Sequence, residues 1–366
     1  MPGARVTNQR ADARRYGGFD VIRIAASLSV VLYHSYAITG RDHDLPALWI
    51  GHYRMPLGSI GVAVFFVISG FLVASSWDRS RRASVFAWHR FARIWPALTM
   101  TIVLTVVVLG PIMTTLSLPD YAANRRTVLY LARGVTLFGG SINALPGVFG
   151  DNPRHAVNGS LWTLSYEVWA YAGLLVFALV GGLRRRGTAF LLFGAVLVFF
   201  RFAVYDGVGG LPIDRTVLTL SLGKGAELGA YFLAGTALSR FAGSLDARRL
   251  LPVGAIAVAL GSVIREPAIF VPGVALTVIG LGACEGRLTN VVHRFGDPSY
   301  GIYILSFPIQ QLVYSSGLAR TPGPMFAASG AISIAAGYLS WHLLERPVMR
   351  WAKRRDGRQF EVARVG

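Results

Sequence analysis

Long apolar runs separated by short polar segments make up most of the 366-residue chain. A run of about 17 to 23 apolar residues crosses a hydrocarbon core of about 30 Å as a helix. Runs close to this length occupy ten stretches: 19–39, 58–77, 97–118, 161–181, 188–204, 217–239, 250–264, 268–284, 299–317 and 325–344. The pattern predicts an all-α, polytopic membrane helical bundle of about ten transmembrane helices.

A further apolar stretch, 127–149, differs from these runs because helix-breaking residues interrupt it. Its second half contains FGGSINALPGVFG, in which glycine, proline and asparagine follow one another closely. These residues favour turns and loops. We therefore expect a folded loop with a short re-entrant piece.

Basic residues lie mainly at the ends of the runs and favour one side. Cytoplasmic loops of membrane proteins carry an excess of Lys and Arg. With the N-terminus in the cytoplasm, 24 of the 36 Lys and Arg fall on the cytoplasmic side, 9 on the other side and 3 inside runs. The sequence predicts two cytoplasmic termini: a basic tail (1–18), a membrane domain (19–347) and a second basic tail (348–366).

Composition excludes other classes of protein. A chain with 53% hydrophobic residues, 15% charged residues and a mean hydropathy of +0.50 has too few polar residues to cover a soluble globule. The net charge of +18 does not indicate a nucleic-acid partner, because the basic residues flank apolar runs and form no soluble basic face. The single cysteine, Cys284, excludes a disulfide framework and offers no metal cluster. We expect a bacterial cytoplasmic membrane protein without a cleaved signal sequence.

The first run carries ionisable side chains that are costly in a bilayer. Arg23 and His34 are eleven residues apart, so they lie within about 20° of one helical face and about 16 Å apart along its axis. Asp20 and Ser27 share that face. Ionisable groups in a span mark either an ion pair with another helix or a functional site, and both interpretations remain open here.

Two arginines approach the third run in the segment WHRFARIWP. Arg90 and Arg93 are three residues apart and therefore share a helical face. Such arginines usually anchor a span at the lipid headgroups. Alternatively, their guanidinium groups clamp a phosphate, because they present paired donors to phosphate oxygens.

The fourth run carries a carboxylate a short way from its start, in the segment GSLWTLSYEVWAYAG. Glu167 has Thr163 and Tyr171 one turn away on either side, and it needs either an ion partner or a substrate hydroxyl. Elsewhere, Lys224 and Glu227 are one turn apart and read as a self-neutralising pair.

Depth along the helices predicts which of these groups meet. His34 lies fifteen residues beyond Phe19, hence about 8 Å from the outer edge of a 30 Å core. Glu167, entering from outside near residue 161, lies about 9 Å deep. We therefore expect His34 and Glu167 to face one outward cavity, with Glu167 orienting the imidazole or the acceptor hydroxyl.

Six motifs in order carry a resemblance to a known family. They are FDVIRIAASLSVVLYHS, GVAVFFVISGF, RFARIWP, LWTLSYEVWAY, FGDPSYGIYILSFP and LERP. Together they resemble the membrane acyltransferase-3 family over almost the whole chain. The resemblance implies transfer of an acyl group, commonly acetyl, from cytoplasmic acyl-coenzyme A to a hydroxyl of a sugar or glycan. The family often has histidine where this chain has Ser306.

The resemblance and the chemistry of the side chains together give a set of expected site residues. A base near the acceptor hydroxyl, or a nucleophile that carries the acyl group, suits His34. Arg23 is expected to hold the pantetheine end of the donor or to orient Asp20. The expected catalytic residues are His34, Glu167, Arg23 and Asp20. The expected donor-binding residues are Arg90, Arg93, Arg23 and Ser69.

The sequence thus favours a membrane O-acyltransferase that uses acyl-coenzyme A as co-substrate, with no tightly bound cofactor. Its expected partners are the donor, a carbohydrate or glycoside acceptor and the lipid bilayer, and homo-oligomerisation stays open. A secondary transporter or exporter is the alternative, since it too keeps ionisable groups inside the membrane. Transporters often show matching halves with broken spans. Here the ionisable motifs crowd into the first half of the chain.

The charge distribution makes the topology testable by reporter fusions. Fusions after Arg186 and Arg249 should report the cytoplasm, and a fusion after Asp214 the opposite side, because the basic residues cluster in alternate loops. Alkaline phosphatase activity reports the side opposite the cytoplasm, and the fluorescence of a protein that folds only in the cytoplasm reports the cytoplasmic side. An exported signal at Arg186 or Arg249 contradicts ten spans with cytoplasmic termini.

Overall fold

A computed structural model describes residues 16–45, 47–50, 53–138, 143–205, 216–217, 220–242, 246 and 249–365. The basic residues of the N-terminal tail (Arg5, Arg10, Arg14 and Arg15) lie outside this part of the chain, as does Asp214.

The described chain is mostly helical, as predicted, with two small antiparallel ladders. The helices are α1 (Gly18–Ile38), α2 (Leu57–Ser80), α3 (Ala83–Leu104), α4 (Leu118–Ala123), α5 (Arg125–Thr136), α6 (Trp162–Leu179), α7 (Arg186–Tyr205), α8 (Leu222–Ser239), α9 (Leu250–Val263), α10 (Pro267–Gly282), α11 (Arg287–Phe295), α12 (Ser299–Ser315), α13 (Pro322–Ser340) and α14 (Arg346–Val365). Helix α3 continues through the π-helical turn Thr105–Leu109 into Gly110–Met113, and α13 continues through Trp341–Glu345 into α14. The ladders pair β1 (Ala47–Ile50) with β2 (Tyr53–Pro56) and β3 (Thr216–Val217) with β4 (Leu220–Ser221).

Each predicted apolar run coincides with a helix or the larger part of one. By length and composition, four helices of the described chain are sufficient to cross a membrane: Gly18–Ile38, Leu57–Ser80, Ala83–Met113 and Trp162–Leu179. A fifth is added if α10 and α11, which meet at an 82° bend, form one broken span. Ten spans and the cytoplasmic location of the termini remain predictions.

The segment predicted as a loop with a re-entrant piece contains regular helix in its first part. Helix α5 places Tyr130 in the core at 1% exposure, and its backbone at Val135 accepts a hydrogen bond from Trp95 Nε1 at 3.1 Å. The first part of the segment is thus regular helix, and the dense run of helix-breaking residues starts only at Gly139. Of the remainder, 139–142 lie outside the described residues.

Helix α2 is the most buried of the four spanning candidates, with 61% of its apolar window inside the protein. Glycines bring it close to α8: a Cβ on Gly70 would collide with the carbonyl oxygen of Phe232, and one on Gly235 with that of Val67. Small residues allow such backbone approach between membrane helices. The close approach of α2 and α8 therefore depends on these two glycines.

Helix α2 runs antiparallel to α1, and their contacts fix which residues share a level. A Cβ on Gly58 would lie 2.8 Å from the Tyr33 side chain, and the rings of Phe71 and Phe19 are 5.6 Å apart. Helix α12 runs parallel to α1, because Phe307 meets His34 at a ring distance of 4.9 Å and Asp297 meets Arg23. These contacts show which residues of α1, α2 and α12 lie at the same depth in the bundle.

The Gly70 contact predicts a large loss of stability for a small substitution. Gly70→Ala should lower the free energy of unfolding by about 1–3 kcal/mol, because the methyl group has no space against α8. The control is Gly194→Ala on α7, where a Cβ meets nothing within 4 Å. The midpoint of thermal unfolding in detergent measures both, and a Gly70→Ala midpoint at or above wild type contradicts the close packing.

Candidate active site

A cavity of about 640 Å³ lies between α2, α3, α6, α12 and the start of α14. Its exposed end is basic, lined by Arg79 from the last turn of α2, His89 from α3 and Lys353 from α14. Its buried end reaches Thr163 and Tyr303, which are 4% and 6% exposed. The chain thus forms a pocket that is cationic at its mouth and lined by hydroxyl groups at its closed end.

Midway along the cavity, Glu167 is held by two hydroxyl groups. Ser69 Oγ donates to Glu167 Oε1 at 3.1 Å and lies 2.7 Å from the Tyr171 hydroxyl. Tyr171 also donates to Glu167 Oε1. Glu167 and Tyr171 are one turn apart on α6, so both face α2 at the level of Ser69. The structure brings together Ser69 and Glu167, which the sequence assigned separately.

Arg90 faces this cluster without a carboxylate of its own. Its guanidinium carbon lies 5.7 Å from the ring centre of Tyr171 and 5.8 Å from that of Phe86. Its Nε has no hydrogen-bond partner among the described residues, and it makes no salt bridge there. A guanidinium group with unused donors beside a cavity is suited to bind a phosphate or another anion.

Arg93 has a different environment, although it is only one turn away and also lines the cavity. Its two terminal nitrogens contact Asp297 Oδ2 at 3.3 Å and Glu345 Oε2 at 3.4 Å. Asp297 Oδ2 also contacts Arg23 at 3.3 Å, and Arg23 contacts Asp20 at 3.4 Å. We call Asp20, Arg23, Asp297, Arg93 and Glu345 the ion bracket.

Asp297 lies at the centre of the ion bracket, in the loop before α12. Burial alone raises the pKa of Asp297, but Arg93 and Arg23 outweigh it and hold the pKa below its ordinary value. The other carboxylate oxygen accepts the backbone N–H of Ser299 at 3.1 Å. The aspartate is therefore charged, fully hydrogen-bonded and shared between two arginines.

These contacts answer the question raised by the two arginine motifs. Arg93 directs its two terminal nitrogens at protein carboxylates, and its role in donor binding stays a prediction. Arg23 is paired with Asp20, as expected, and also borders the cavity. Arg90 differs from Arg93, because no carboxylate of the described residues pairs with it and its donors remain available to a ligand.

His34 lies outside the cavity, in the interface between α1 and α12. It is 8% exposed, and its Nδ1 has no hydrogen-bond partner within the described chain. The edge of its ring meets Phe307. Phe307 is one turn beyond Tyr303, which closes the buried end of the cavity. The rings of Phe307 and Tyr303 therefore lie along the path between His34 and the cavity.

The predicted equal depth of His34 and Glu167 is wrong. Gly58 is level with Tyr33, and Ser69, which binds Glu167, lies eleven residues further along α2, or about 16 Å along the axis. The reason is that α6 begins inside the protein: Asn158 and Ser160, just before it, are each 1% exposed. Glu167 is thus level with Arg23 and far below His34.

Two other sequence interpretations are resolved. Lys224 Nζ and Glu227 Oε2 are 2.7 Å apart, which confirms the predicted pair. Ser306 is fully buried and donates to the Tyr303 carbonyl at 3.3 Å within its own helix.

Sequence reasoning missed Asp297 and Glu345 as partners of the arginines. Both lie in motifs that carried the family resemblance, FGDPSYGIYILSFP and LERP. An acidic residue in each motif, next to a predicted span, was the available signal.

Comparison with known proteins agrees with the motifs. Residues 16–342 match the acyltransferase-3 family, described as an acyltransferase domain. The chain is 27% identical to an O-acetyl transferase of Shigella phage Sf6 over 345 residues, covering 90% of this chain and 94% of that protein. It is 30% identical to the exopolysaccharide production protein ExoZ of Rhizobium meliloti, covering 83% and 93% of the two chains.

A third relative, nodulation protein 10 of Rhizobium leguminosarum bv. viciae, is 25% identical over 98% of this chain and 99% of its own length. No solved structure matches the chain. Since the family match covers nearly the whole sequence, the chain belongs to the acyltransferase-3 family of enzymes.

Proposed function

We propose that this protein transfers an acetyl group from acetyl-coenzyme A to a hydroxyl of a surface polysaccharide or a secreted glycoside. The observation that carries the proposal is the cavity with a basic mouth, Arg90 midway and the Ser69–Tyr171–Glu167 cluster beside it. Two relatives point in the same direction: one is named an O-acetyl transferase and the other an exopolysaccharide production protein.

The donor enters the cavity from its basic mouth. Phosphate groups of coenzyme A suit Arg90, and the mouth residues Arg79 and Lys353 add positive charge. The pantetheine arm carries amide N–H groups, for which the Glu167 carboxylate is an acceptor. The thioester then extends toward Tyr303, at the end of the cavity nearest to His34. Arg23 borders the same arm.

The acceptor hydroxyl is activated at the other end. Val62 lines the cavity and is four residues from Gly58, so the closed end lies about 6 Å from the level of His34. His34 takes the hydroxyl proton while the oxygen attacks the thioester carbon, and the C–S bond breaks to release thiolate. In the second route, His34 attacks the thioester first and carries the acyl group to the hydroxyl.

Donor binding at the basic mouth and acceptor activation at the His34 end fit a protein in the bacterial cytoplasmic membrane. The basic mouth lies on the side that the charge distribution assigns to the cytoplasm, where acetyl-coenzyme A is made. The His34 end lies toward the opposite face. Donor and acceptor then reach the enzyme from opposite sides of the membrane.

Substitution of Arg90 and of Arg93 should have different consequences. Arg90→Ala should weaken acetyl-coenzyme A binding at least tenfold, because a charge-assisted contact contributes about 1.5–3 kcal/mol. Arg93→Ala should instead lower the free energy of unfolding by about 3–5 kcal/mol, since Glu345 loses its buried partner and Asp297 loses one of its two arginines.

Titration calorimetry and thermal unfolding in detergent separate the two effects. Arg126→Ala is the control, because Arg126 is exposed on α5 and remote from the cavity lining. Donor affinity within twofold of wild type in Arg90→Ala contradicts the assignment of Arg90 to the donor.

The function itself is tested by purified protein in detergent, with no ion gradient. Label from [14C]acetyl-coenzyme A should appear as alkali-labile acetate on glycans extracted from a strain that lacks the gene. His34→Ala should reduce this transfer at least a hundredfold, because general-base catalysis contributes about 10²–10⁴. Transfer by His34→Ala at the wild-type rate removes His34 from the mechanism, and absence of any transfer by wild type favours the transporter alternative.

A further inference from the structure

Beyond the closed end of the cavity, α1 and α12 face each other around His34. Phe307 packs against the imidazole. Gln310, one turn further along α12, donates from Nε2 to the Val31 carbonyl and to Ser35 Oγ, both at 2.8 Å. These two residues flank His34 on α1, so Gln310 and His34 lie at the same part of the interface.

Two buried polar atoms at this interface lack hydrogen-bond partners within the described chain. They are Nδ1 of His34 and Oε1 of Gln310, and the residues are 8% and 0% exposed. The Val31 carbonyl only accepts, so the amide nitrogen of Gln310 must face it and Oε1 must point elsewhere. Buried polar atoms are rarely left unpaired, which marks this pair as a place for a ligand.

A segment that we call the strap (151–158) fastens the ends of α1 and α12 together beside this pair. On the α12 side, Asn152 donates to Gln311 Oε1 at 2.7 Å and Asn158 donates to the Ile304 carbonyl at 2.8 Å. On the α1 side, Arg154 donates to the Ala37 carbonyl at 3.3 Å and pairs with Asp42 at 3.1 Å.

The strap has an exposed part and a buried part. Residues 151 and 153–155 are exposed and have no regular secondary structure, whereas Asn152, Val157 and Asn158 are buried. Arg154 holds the exposed part to α1 through polar contacts, and water or a carbohydrate can replace these at low cost. The exposed part therefore opens more readily than the packed helices beneath it.

We propose that His34 Nδ1 and Gln310 Oε1 bind two neighbouring hydroxyls of the carbohydrate acceptor, which reaches them when the exposed part of the strap lifts. The inference rests on the proposed function and names the residues that receive its acceptor. Both atoms accept hydrogen bonds, and adjacent hydroxyls of a sugar ring supply two donors at close spacing.

The two hydroxyls have different fates. The first loses its proton to Nδ1 as its oxygen forms the C–O bond with the acyl carbon; the thioester C–S bond breaks, and the proton passes to the leaving thiolate. The second hydroxyl stays intact on Gln310 Oε1 and fixes which position of the sugar is acylated.

A disulfide tests the strap. A Cβ on Gly40, at the end of α1, would lie 3.8 Å from the Cβ of Pro153, and bridged cysteines have Cβ atoms about 3.8 Å apart. Gly40→Cys/Pro153→Cys is made with Cys284→Ser, because Cys284 is an exposed free thiol. Each single cysteine variant in the same background is a control. The Gly40→Cys single variant also measures the strain of placing cysteine at the left-handed backbone of Gly40, where φ is +74°.

Permeabilised membranes of the producing strain receive [14C]acetyl-coenzyme A, and label is counted in their own glycans. Oxidation of the double variant should lower incorporation at least tenfold, and reductant should restore it. Acetyl-coenzyme A affinity should stay within twofold. The single variants should not respond to oxidation.

A matched pair tests the glutamine. Gln310→Met keeps the volume but removes Oε1, and should lower incorporation at least tenfold with unchanged donor affinity. Ser35→Ala removes one of the same α1–α12 hydrogen bonds but keeps Oε1, and should stay within twofold of wild type. Thermal unfolding is measured for both variants, and a purely structural role for Gln310 predicts that the loss of incorporation in each follows its loss of thermal stability.

Three results overturn the proposal. The first is label incorporation at the wild-type rate by the double cysteine variant when its disulfide is fully formed. The second is an equal loss of label incorporation in Gln310→Met and Ser35→Ala. The third is absence of label in wild-type membranes, which removes the proposed function together with this inference. The first two leave the acyltransferase function intact.

Discussion

The carboxylate of Asp297, shared between Arg23 and Arg93, is the interaction on which the arrangement of this site depends. It joins the first turns of α1, the middle of α3 and the start of α12. Asp297 lies ten residues before Phe307 on the α12 side, and Arg23 lies eleven residues before His34 on α1. Because α1 and α12 run in parallel, the Arg23–Asp297 pair at their first turns places Phe307 beside His34 three turns later. Loss of Arg93 leaves the buried Glu345 without its arginine and Asp297 with only one, which is costly.

With the register fixed, polar groups separate into two ends of one helical bundle. The basic mouth, Arg90 and the Ser69–Tyr171–Glu167 cluster form one end, and the neutral polar pair of His34 and Gln310 forms the other. The rings of Phe307 and Tyr303 lie along the path between them. In the proposed mechanism the first end receives the anionic donor and the second the carbohydrate acceptor, and the level of His34 lies about 6 Å from the closed end of the cavity along the helix axis.

Much of the fold follows from the sequence, because the length of an apolar run predicts a helix directly. The shared face of Arg23 and Asp20 and the Lys224–Glu227 pair are also local, so spacing predicts them. The depth of Glu167 could not be predicted, since the start of α6 inside the protein depends on tertiary packing. Nor could the partners of Arg93, which lie 204 and 252 residues away along the chain.

The central claim is that the ion bracket occupies Arg93 and leaves Arg90 for the donor. A cryo-electron microscopy structure with a non-hydrolysable acetyl-coenzyme A analogue tests it most directly. The account predicts that Arg93 keeps its contacts with Asp297 and Glu345 while Arg90 contacts a donor phosphate and the thioester position points toward Tyr303. A structure in which Arg93 leaves both carboxylates to bind the phosphate, or in which the analogue lies outside this cavity, contradicts it.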